Sequence, residues 1–216
     1  SRDGCAFPPL FETPNKANKG CYEVQSSVSK KMIEDMSKRD FGSVFIATNH
    51  LNAHFGYDNS TRLSRSNVDQ KLEDFIIESK KLAEKLKIIR ASLILVAPLP
   101  QHPEFYPDLC STQWFRPKFS LPRICQKTDR VYLENQRKHI IEKLELAATK
   151  NSNIYIFDPF EKFCDKKFCY VEKNNIFFYV DNDHLSKDGA MLISKDLLTL
   201  IDNINSTKVK NINDKK

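Results

Sequence analysis

Glycine is scarce in this chain, which contains only five glycines among 216 residues. They lie so far apart that neither a G-x-G-x-x-G fingerprint nor a Walker loop can be written anywhere in the sequence. Long apolar runs are also missing, because no window approaches the roughly 18 consecutive apolar residues of a membrane span. The scarcity of glycine excludes both of these phosphate-binding loops. The lack of a long apolar run predicts a soluble globular domain.

The composition is that of an ordinary globular protein, with 40% apolar and 29% charged residues. Basic side chains number 34 and acidic ones 28, which gives a formal net charge of +6 at pH 7. Because the lysines are spread along the chain instead of forming one block, the charge predicts no nucleic-acid partner. The length suits one domain, expected over residues 1–202, followed by a polar tail over residues 203–216.

Six cysteines fall into three local couples: Cys5 with Cys21, Cys110 with Cys125, and Cys164 with Cys169. Sequential pairing into disulfides is the simplest connectivity, because closing short loops costs little entropy. A zinc site is the alternative, but the chain has no C-x-x-C, and the last couple has no obvious second pair of ligands. Disulfides indicate an oxidising compartment.

The chain begins at Ser1, without an initiator methionine or a signal peptide, so we expect sequence upstream of it. Residues 1–20 contain three prolines and two glycines and are expected to form a loop closed by Cys5 and Cys21.

Short apolar runs at 43–48, 91–97 and 154–157 predict buried strands, and a final run at 176–180 is expected to be the last strand. Apolar residues at helical spacing predict helices over 24–36, 67–87 and 131–149, and Ser186 can cap a last helix that ends near Asp202. This alternation predicts an α/β fold with a mostly parallel sheet covered on both faces.

Ligands of such folds bind at the carboxyl ends of the strands, so candidate site residues should follow the predicted strands. Asp181 and His184 follow the last apolar run. A carboxylate three residues before an imidazole can accept from its Nδ1 and leave Nε2 to act as a base. The alternative is a solvated turn in which the acid caps a helix.

The sequence gives weaker support to two further candidate sites near the first strand. Asn49 follows that strand, where its amide could donate to a developing oxyanion, although a strand-terminating turn explains the residue equally simply. His50 and His54 have the i, i+4 spacing of helical metal ligands, but no acid lies between them. We therefore predict neither a metal nor a cofactor.

The segment 98–129, with six prolines and the only tryptophan, is long enough to be functional.

Residues 179–190 read YVDNDHLSKDGA and resemble the closing block of SGNH hydrolases, most closely that of SGNH domains fused to acyltransferase-3 membrane proteins. The opening cysteine loop, the strand ending at Asn49, the run Val-Ala-Pro-Leu-Pro at 96–100 and the couple Cys164 and Cys169 are similar in kind and order. The resemblance extends to about Ile201. It implies a three-layer α/β/α sandwich with a mostly parallel, flavodoxin-like sheet.

This resemblance also implies a Ser-His-Asp mechanism, in which Asp181 orients His184 and His184 activates a serine that carries an acyl group. The implied activity is O-acylation, commonly acetylation, of hydroxyls on a cell-surface polysaccharide, with the acyl group supplied by a multispanning membrane domain. Asn49 would be the oxyanion residue, although the chain reads Thr-Asn-His where the family has Gly-x-Asn-Asp. The implied location is extracytoplasmic, at the periplasmic face of the inner membrane.

The nucleophile block of that family, Gly-Asp-Ser, is absent, and so is a G-x-S-x-G elbow. Ser43 in Gly42-Ser43 is the nearest match, but it opens a strand whose far end should face the site. We therefore expect the first strand and the serine to lie upstream of Ser1, either because the gene is split or because the chain was cut at a boundary chosen for expression. The third explanation is that the protein has lost the serine and with it catalysis. A carbohydrate esterase and a non-catalytic glycan-binding remnant remain alternatives to the transferase.

Overall fold

The computed structural model describes residues 27, 30–38, 44–48, 65–103, 105–106, 110, 123–182 and 184–213. Several residues singled out above lie outside this part of the chain: Cys5, Cys21, Ser43, Asn49, His50 and His54. The chain divides into two compact units, one drawn from Ser1–Ala97, Ile140–Phe157 and Leu198–Lys216 and the other from Pro98–His139 and Asp158–Leu197.

The helices of the described residues are α1 (30–37), α2 (Arg65–Ile88), α3 (Arg130–Thr149), α4 (Phe160–Phe163) and α5 (Lys187–Asn213), with a 3₁₀ turn at Arg123–Cys125. The strands are β1 (Val44–Thr48), β2 (Ser92–Val96), β3 (Lys127–Asp129), β4 (Ile154–Phe157), β5 (Phe168–Tyr170), β6 (Glu172–Lys173) and β7 (Ile176–Phe177).

A parallel sheet of the order β1-β2-β4 forms the centre of the first unit. The register places Ile94 of β2 beside Ile46 on one side and Tyr155 on the other. Every residue of β2 is buried, as in a strand covered on both faces. The three predicted strands are therefore confirmed, with ends that differ by no more than one residue, and so is an α/β fold with a parallel sheet. Full burial holds for β2, whereas the two middle residues of β4 are partly buried and Ile46 of β1 is 39% exposed.

The apolar stripes of two long helices pack into the core of this unit. Leu72, Phe75 and Leu86 of α2 contribute to it, as do Ile140 and Leu144 in the second half of α3. Residues spaced by three or four positions share one face of a helix, which is why the sequence pattern located both helices. Of α1, Ile33 and Met36 pack against the same core.

The second unit contains two small antiparallel pieces. Strand β3 pairs with β5, with Thr128 opposite Cys169, and β6 pairs with β7. Disulfides join Cys110 to Cys125 and Cys164 to Cys169, which are two of the three sequential couples. The second of these disulfides ties β5 to the end of α4.

The run at 176–180 is not the last strand of the parallel sheet, and this prediction was wrong. Its first two residues form β7, which pairs antiparallel with β6. Asn174 and Asn175 between them have φ of 55° and 65°, the positive values that a tight two-residue hairpin turn of type I′ requires. Ile176 and Phe177 are 46% and 40% exposed, unlike residues of a buried parallel strand.

The last helix begins as predicted but runs further. Ser186 caps α5, because its Oγ accepts from the backbone N–H of Gly189 at 3.1 Å. The helix continues to Asn213, so the segment expected to be a polar tail is helical over 203–213. Ile204 is buried and extends the apolar stripe past the predicted end at Asp202. No helix within the described residues has the length and apolar composition needed to cross a bilayer.

Candidate active site

One carboxylate holds two atoms of His184. Asp181 Oδ1 accepts from the backbone N–H of His184 at 2.7 Å, and Oδ1 and Oδ2 lie 3.0 Å and 2.9 Å from the ring Nδ1. The structure therefore brings together the two residues that the sequence pattern paired.

This contact determines which ring nitrogen of His184 carries the proton and which carries the lone pair. An ionised carboxylate can only accept hydrogen bonds, so Nδ1 carries a proton in the contact, and Nε2 of the neutral ring carries the lone pair. The side chain of His184 is 59% exposed and that of Asp181 is 42% exposed. The imidazole is thus on the surface, where it can exchange a proton with a substrate or a nucleophile.

The turn between Asp181 and His184 is closed by a short antiparallel ladder. Tyr179 forms a bridge with Leu185, the N–H of Val180 donates to the carbonyl of His184 at 2.9 Å, and the N–H of Ser186 donates to Phe178 at 2.9 Å. Val180 also ends the apolar run of the sequence, and α5 begins directly after Ser186. The turn is therefore held between a segment anchored by the buried side chain of Tyr179 and a capped helix.

Gly189 permits this closure. A Cβ atom at this position would lie 2.1 Å from the carbonyl oxygen of Phe178, far inside van der Waals contact. Any other residue would push the first turn of α5 away from the ladder that carries His184.

A second histidine, which the sequence did not single out, lies beneath the turn. The backbone N–H of His102 donates to the carbonyl of Asn182 at 2.8 Å. Its ring is buried, with Nδ1 2.8 Å from Thr128 Oγ1 and its centroid 4.8 Å from that of Tyr179 at an interplanar angle of 76°. Burial lowers the pKa of His102 to about 3, so this ring is neutral at physiological pH.

Comparison of the amino-acid sequence with known protein families gives a match that is independent of this geometry. The chain matches the family described as the SGNH domain fused to AT3 (acyltransferase-3) domains, over residues 1–199. The chain belongs to this family. The match includes the whole turn from Asp181 to His184, and it makes the chain an SGNH domain of the kind associated with acyltransferases. No curated protein sequence matches the chain significantly.

The interior of the SGNH domain near the turn contains further polar side chains. Tyr179 is buried beside Phe163, and burial raises the pKa of its hydroxyl well above the usual value, while the positive charge of Arg137 acts in the opposite direction. Arg137 is itself almost fully buried and its Nη2 donates to Asp158 at 2.6 Å. Neither side chain reaches the surface: Tyr179 supports the turn from inside the second unit, and Arg137 lies in the interior of the same unit.

Nothing in the described ranges brings three His, Cys, Asp or Glu side chains together in the way a metal ion requires. The predicted metal-like pair, His50 and His54, and the oxyanion candidate Asn49 lie outside those ranges. The candidate site within the described residues of this SGNH domain is thus the pair Asp181 and His184, with His102 behind it.

Proposed function

We propose that the chain is the C-terminal part of an SGNH-type O-acyltransferase domain, which transfers an acyl group, in the simplest case acetyl, to hydroxyls of a cell-surface polysaccharide. His184 is the general base and Asp181 its orienting partner. The observation that carries the proposal is the double contact of Asp181 with the ring and the backbone of an exposed His184, within a sequence block matched by the SGNH family.

Transfer would take two steps. In the first, His184 Nε2 accepts the hydroxyl proton of a serine as its Oγ attacks the acyl carbonyl of the donor, and the imidazolium then returns the proton to the leaving group. In the second, Nε2 deprotonates a sugar hydroxyl that attacks the acyl-serine, and the serine oxygen leaves with that proton. Asp181 stabilises the imidazolium in both steps. Asn49 is our proposed donor to the oxyanion.

The serine must come from outside the 216 residues, because no Gly-Asp-Ser occurs within them. We propose that a further strand carries this serine and completes a three-layer α/β/α sandwich by pairing with β1. Two observations support this arrangement: in the described residues β1 is paired on the β2 side only, and Ile46 of β1 is 39% exposed. An open strand edge of this kind pairs readily with another strand. The domain would cover 1–202, with 203–216 continuing past it.

The expected setting is the periplasmic face of the inner membrane, next to a membrane domain that supplies the acyl group. The fusion of this family to acyltransferase-3 domains supports such a partner. Two disulfides support an oxidising compartment, because cytosolic thiols are kept reduced.

The test is His184→Ala in the full-length protein, with Lys187→Ala, an exposed neighbour, as the control. We expect the His184 variant to lose polysaccharide acylation while its far-ultraviolet circular dichroism and unfolding midpoint stay unchanged, and the control to keep activity. Acylation at the wild-type level in the His184 variant would rule out this mechanism.

The missing nucleophile block favours a second candidate, a non-catalytic glycan-binding module. Sequencing the intact gene discriminates between the two, because a gene that also lacks Gly-Asp-Ser supports the binding module. A carbohydrate esterase uses the same residues and is distinguished by its product: it would release acetate from an acetylated polysaccharide without needing a membrane domain.

A further inference from the structure

We propose that His102 is a positioning residue for the turn that carries Asp181 and His184, and that Thr128 sets the orientation of its ring. The proposal rests on the proposed function of His184 and names two residues to which neither the SGNH match nor the sequence pattern gives a role. All the contacts that support it lie within the second unit.

His102 contacts the turn at its middle. Its backbone N–H donates to the carbonyl of Asn182 at 2.8 Å, between the two residues of the proposed dyad. The backbone bonds that Val180 and Ser186 donate lie at the base of the turn. The bond to His102 therefore ties the outer part of the turn to a different segment of the chain.

The ring of His102 contacts the start of the same turn. It packs edge-on to the buried ring of Tyr179, which is also in contact with Phe163 at a centroid distance of 5.6 Å. Tyr179 forms the bridge with Leu185 that closes the turn. One residue, His102, thus supports both the entry to the turn and its middle, through its side chain and its backbone.

Thr128 restrains the ring through a hydrogen bond. Its Oγ1 lies 2.8 Å from Nδ1 of His102. Thr128 belongs to β3, where it is paired with Cys169 of β5, and Cys169 is joined to Cys164. The ring is therefore anchored to a ribbon that a disulfide holds in place.

A histidine at position 102 does more than fill space in the interior. Nε2 of His102 is buried and has no hydrogen-bond partner among the described residues, which is unfavourable in a protein interior. A phenylalanine or leucine would fill an apolar site without this cost. The imidazole provides what those residues lack, an atom that bonds to Thr128 and so restrains rotation of the ring and of the backbone attached to it.

The first experiment measures acyl transfer by the full-length protein for Thr128→Val and Thr128→Ser. Thr128→Val keeps the shape of the side chain but removes the hydroxyl, and we expect roughly a tenfold loss of kcat with an unchanged KM for the acceptor, because small displacements of a catalytic group cost rate rather than binding. Thr128→Ser should restore kcat to within about twofold. Thr149→Val is the matched control, since its hydroxyl bonds only within α3, and it should behave as wild type.

The second experiment needs no activity. In the ¹⁵N-histidine-labelled chain at a pH where imidazoles are neutral, we expect His184 to be protonated on Nδ1, and Thr128→Val or His102→Phe to give a mixture of the two tautomers. An unchanged tautomer in both variants together with an unchanged kcat per folded molecule would overturn the proposal, even if His184→Ala abolished acylation. If His184→Ala left acylation intact while the tautomer changed, the proposed function would fail and the positioning role would stand.

Discussion

Asp181 contacts His184 at the backbone and at the ring, with Oδ1 2.7 Å from the amide nitrogen and Oδ2 2.9 Å from Nδ1. The first contact shapes the turn, whereas the second fixes the tautomer and, in the proposed mechanism, places a carboxylate beside the imidazolium. The two roles can be separated by a substitution that keeps an oxygen acceptor but removes the negative charge.

Asp181→Asn should therefore leave the fold intact and lower kcat by about 10²–10⁴, the usual range for losing an oriented general base. The amide oxygen can still accept from the backbone of His184, but the neutral side chain no longer stabilises the imidazolium. The measurement is acyl transfer by the full-length protein, with Asp188→Asn in the first turn of α5 as the matched control. A kcat within twofold of wild type would contradict the assigned role of Asp181.

Sequence alone located this dyad because both members lie in one short segment, directly after an apolar run and before a cap. His102 was missed because its contacts are remote in sequence: Thr128 is 26 residues away, and Tyr179 and Asn182 are further still. No local spacing connects these residues. The single indication was that His102 lies in a long proline-rich segment of the kind that is often functional.

The close approach at Gly189 gives a second prediction, concerning stability. Gly189→Ala places a methyl group against the carbonyl of Phe178, and this backbone atom cannot move without breaking the bond from Ser186. We expect the free energy of unfolding to fall by about 1–3 kcal/mol, as for overpacked interior sites, despite the higher helix propensity of alanine.

Chemical denaturation of Gly189→Ala beside Ser194→Ala checks this expectation. Ser194 is an exposed position of the same helix, so its substitution by alanine should be close to neutral. A Gly189→Ala protein as stable as wild type would mean that α5 does not start as close to the ladder as the structure has it.

The fold was predictable where apolar patterns are continuous and unpredictable where they are not. Strands β1, β2 and β4 are short apolar runs, and β2 is buried throughout, so hydrophobicity alone identifies them. Strands β3 and β5 have three residues each, and β3 reads Lys-Thr-Asp, which carries no strand signal. Their pairing depends on contacts distant in sequence, whereas the hairpin β6–β7 could have been predicted from the Asn-Asn turn.

A third prediction concerns pH. Asp165 accepts from the hydroxyl of Tyr170 and from the backbone N–H groups of Lys167 and Phe168, and these bonds lower its pKa from the ordinary 3.8 to about 2. Because the pKa is lower in the folded state, the carboxylate stabilises the fold above pH 4, and this contribution disappears as the pH falls from about 4 to about 2.

Asp165→Asn should therefore be less stable than wild type at pH 6, with the difference shrinking as the pH approaches 2. Urea unfolding at several pH values measures it, and Asp202→Asn, a substitution of an exposed acid in α5, serves as the control. A gap between wild type and Asp165→Asn that stayed the same from pH 6 to pH 2 would show that the bonds to Asp165 do not depend on its charge.

The last prediction concerns the two disulfides. The one that contributes more to the free energy of unfolding should contribute less to kcat. The bond between Cys110 and Cys125 closes the longer loop, with a separation of 15 residues against 5 for Cys164 and Cys169. Loop-entropy arguments assign the longer loop about 3 kcal/mol and the shorter one about 2 kcal/mol. The shorter loop, however, holds β5 opposite Thr128, and through Thr128 and His102 it supports the turn of His184.

Replacing both cysteines of each pair with alanine separates these effects. We expect the variant lacking the bond between Cys110 and Cys125 to lose more unfolding free energy, and the variant lacking the bond between Cys164 and Cys169 to lose more kcat per folded molecule. Urea denaturation and acyl transfer by the full-length proteins, each corrected for the folded fraction, measure the two quantities. If the variant lacking the bond between Cys110 and Cys125 also had the larger loss of kcat per folded molecule, the link from β5 to the turn through His102 would have no functional weight.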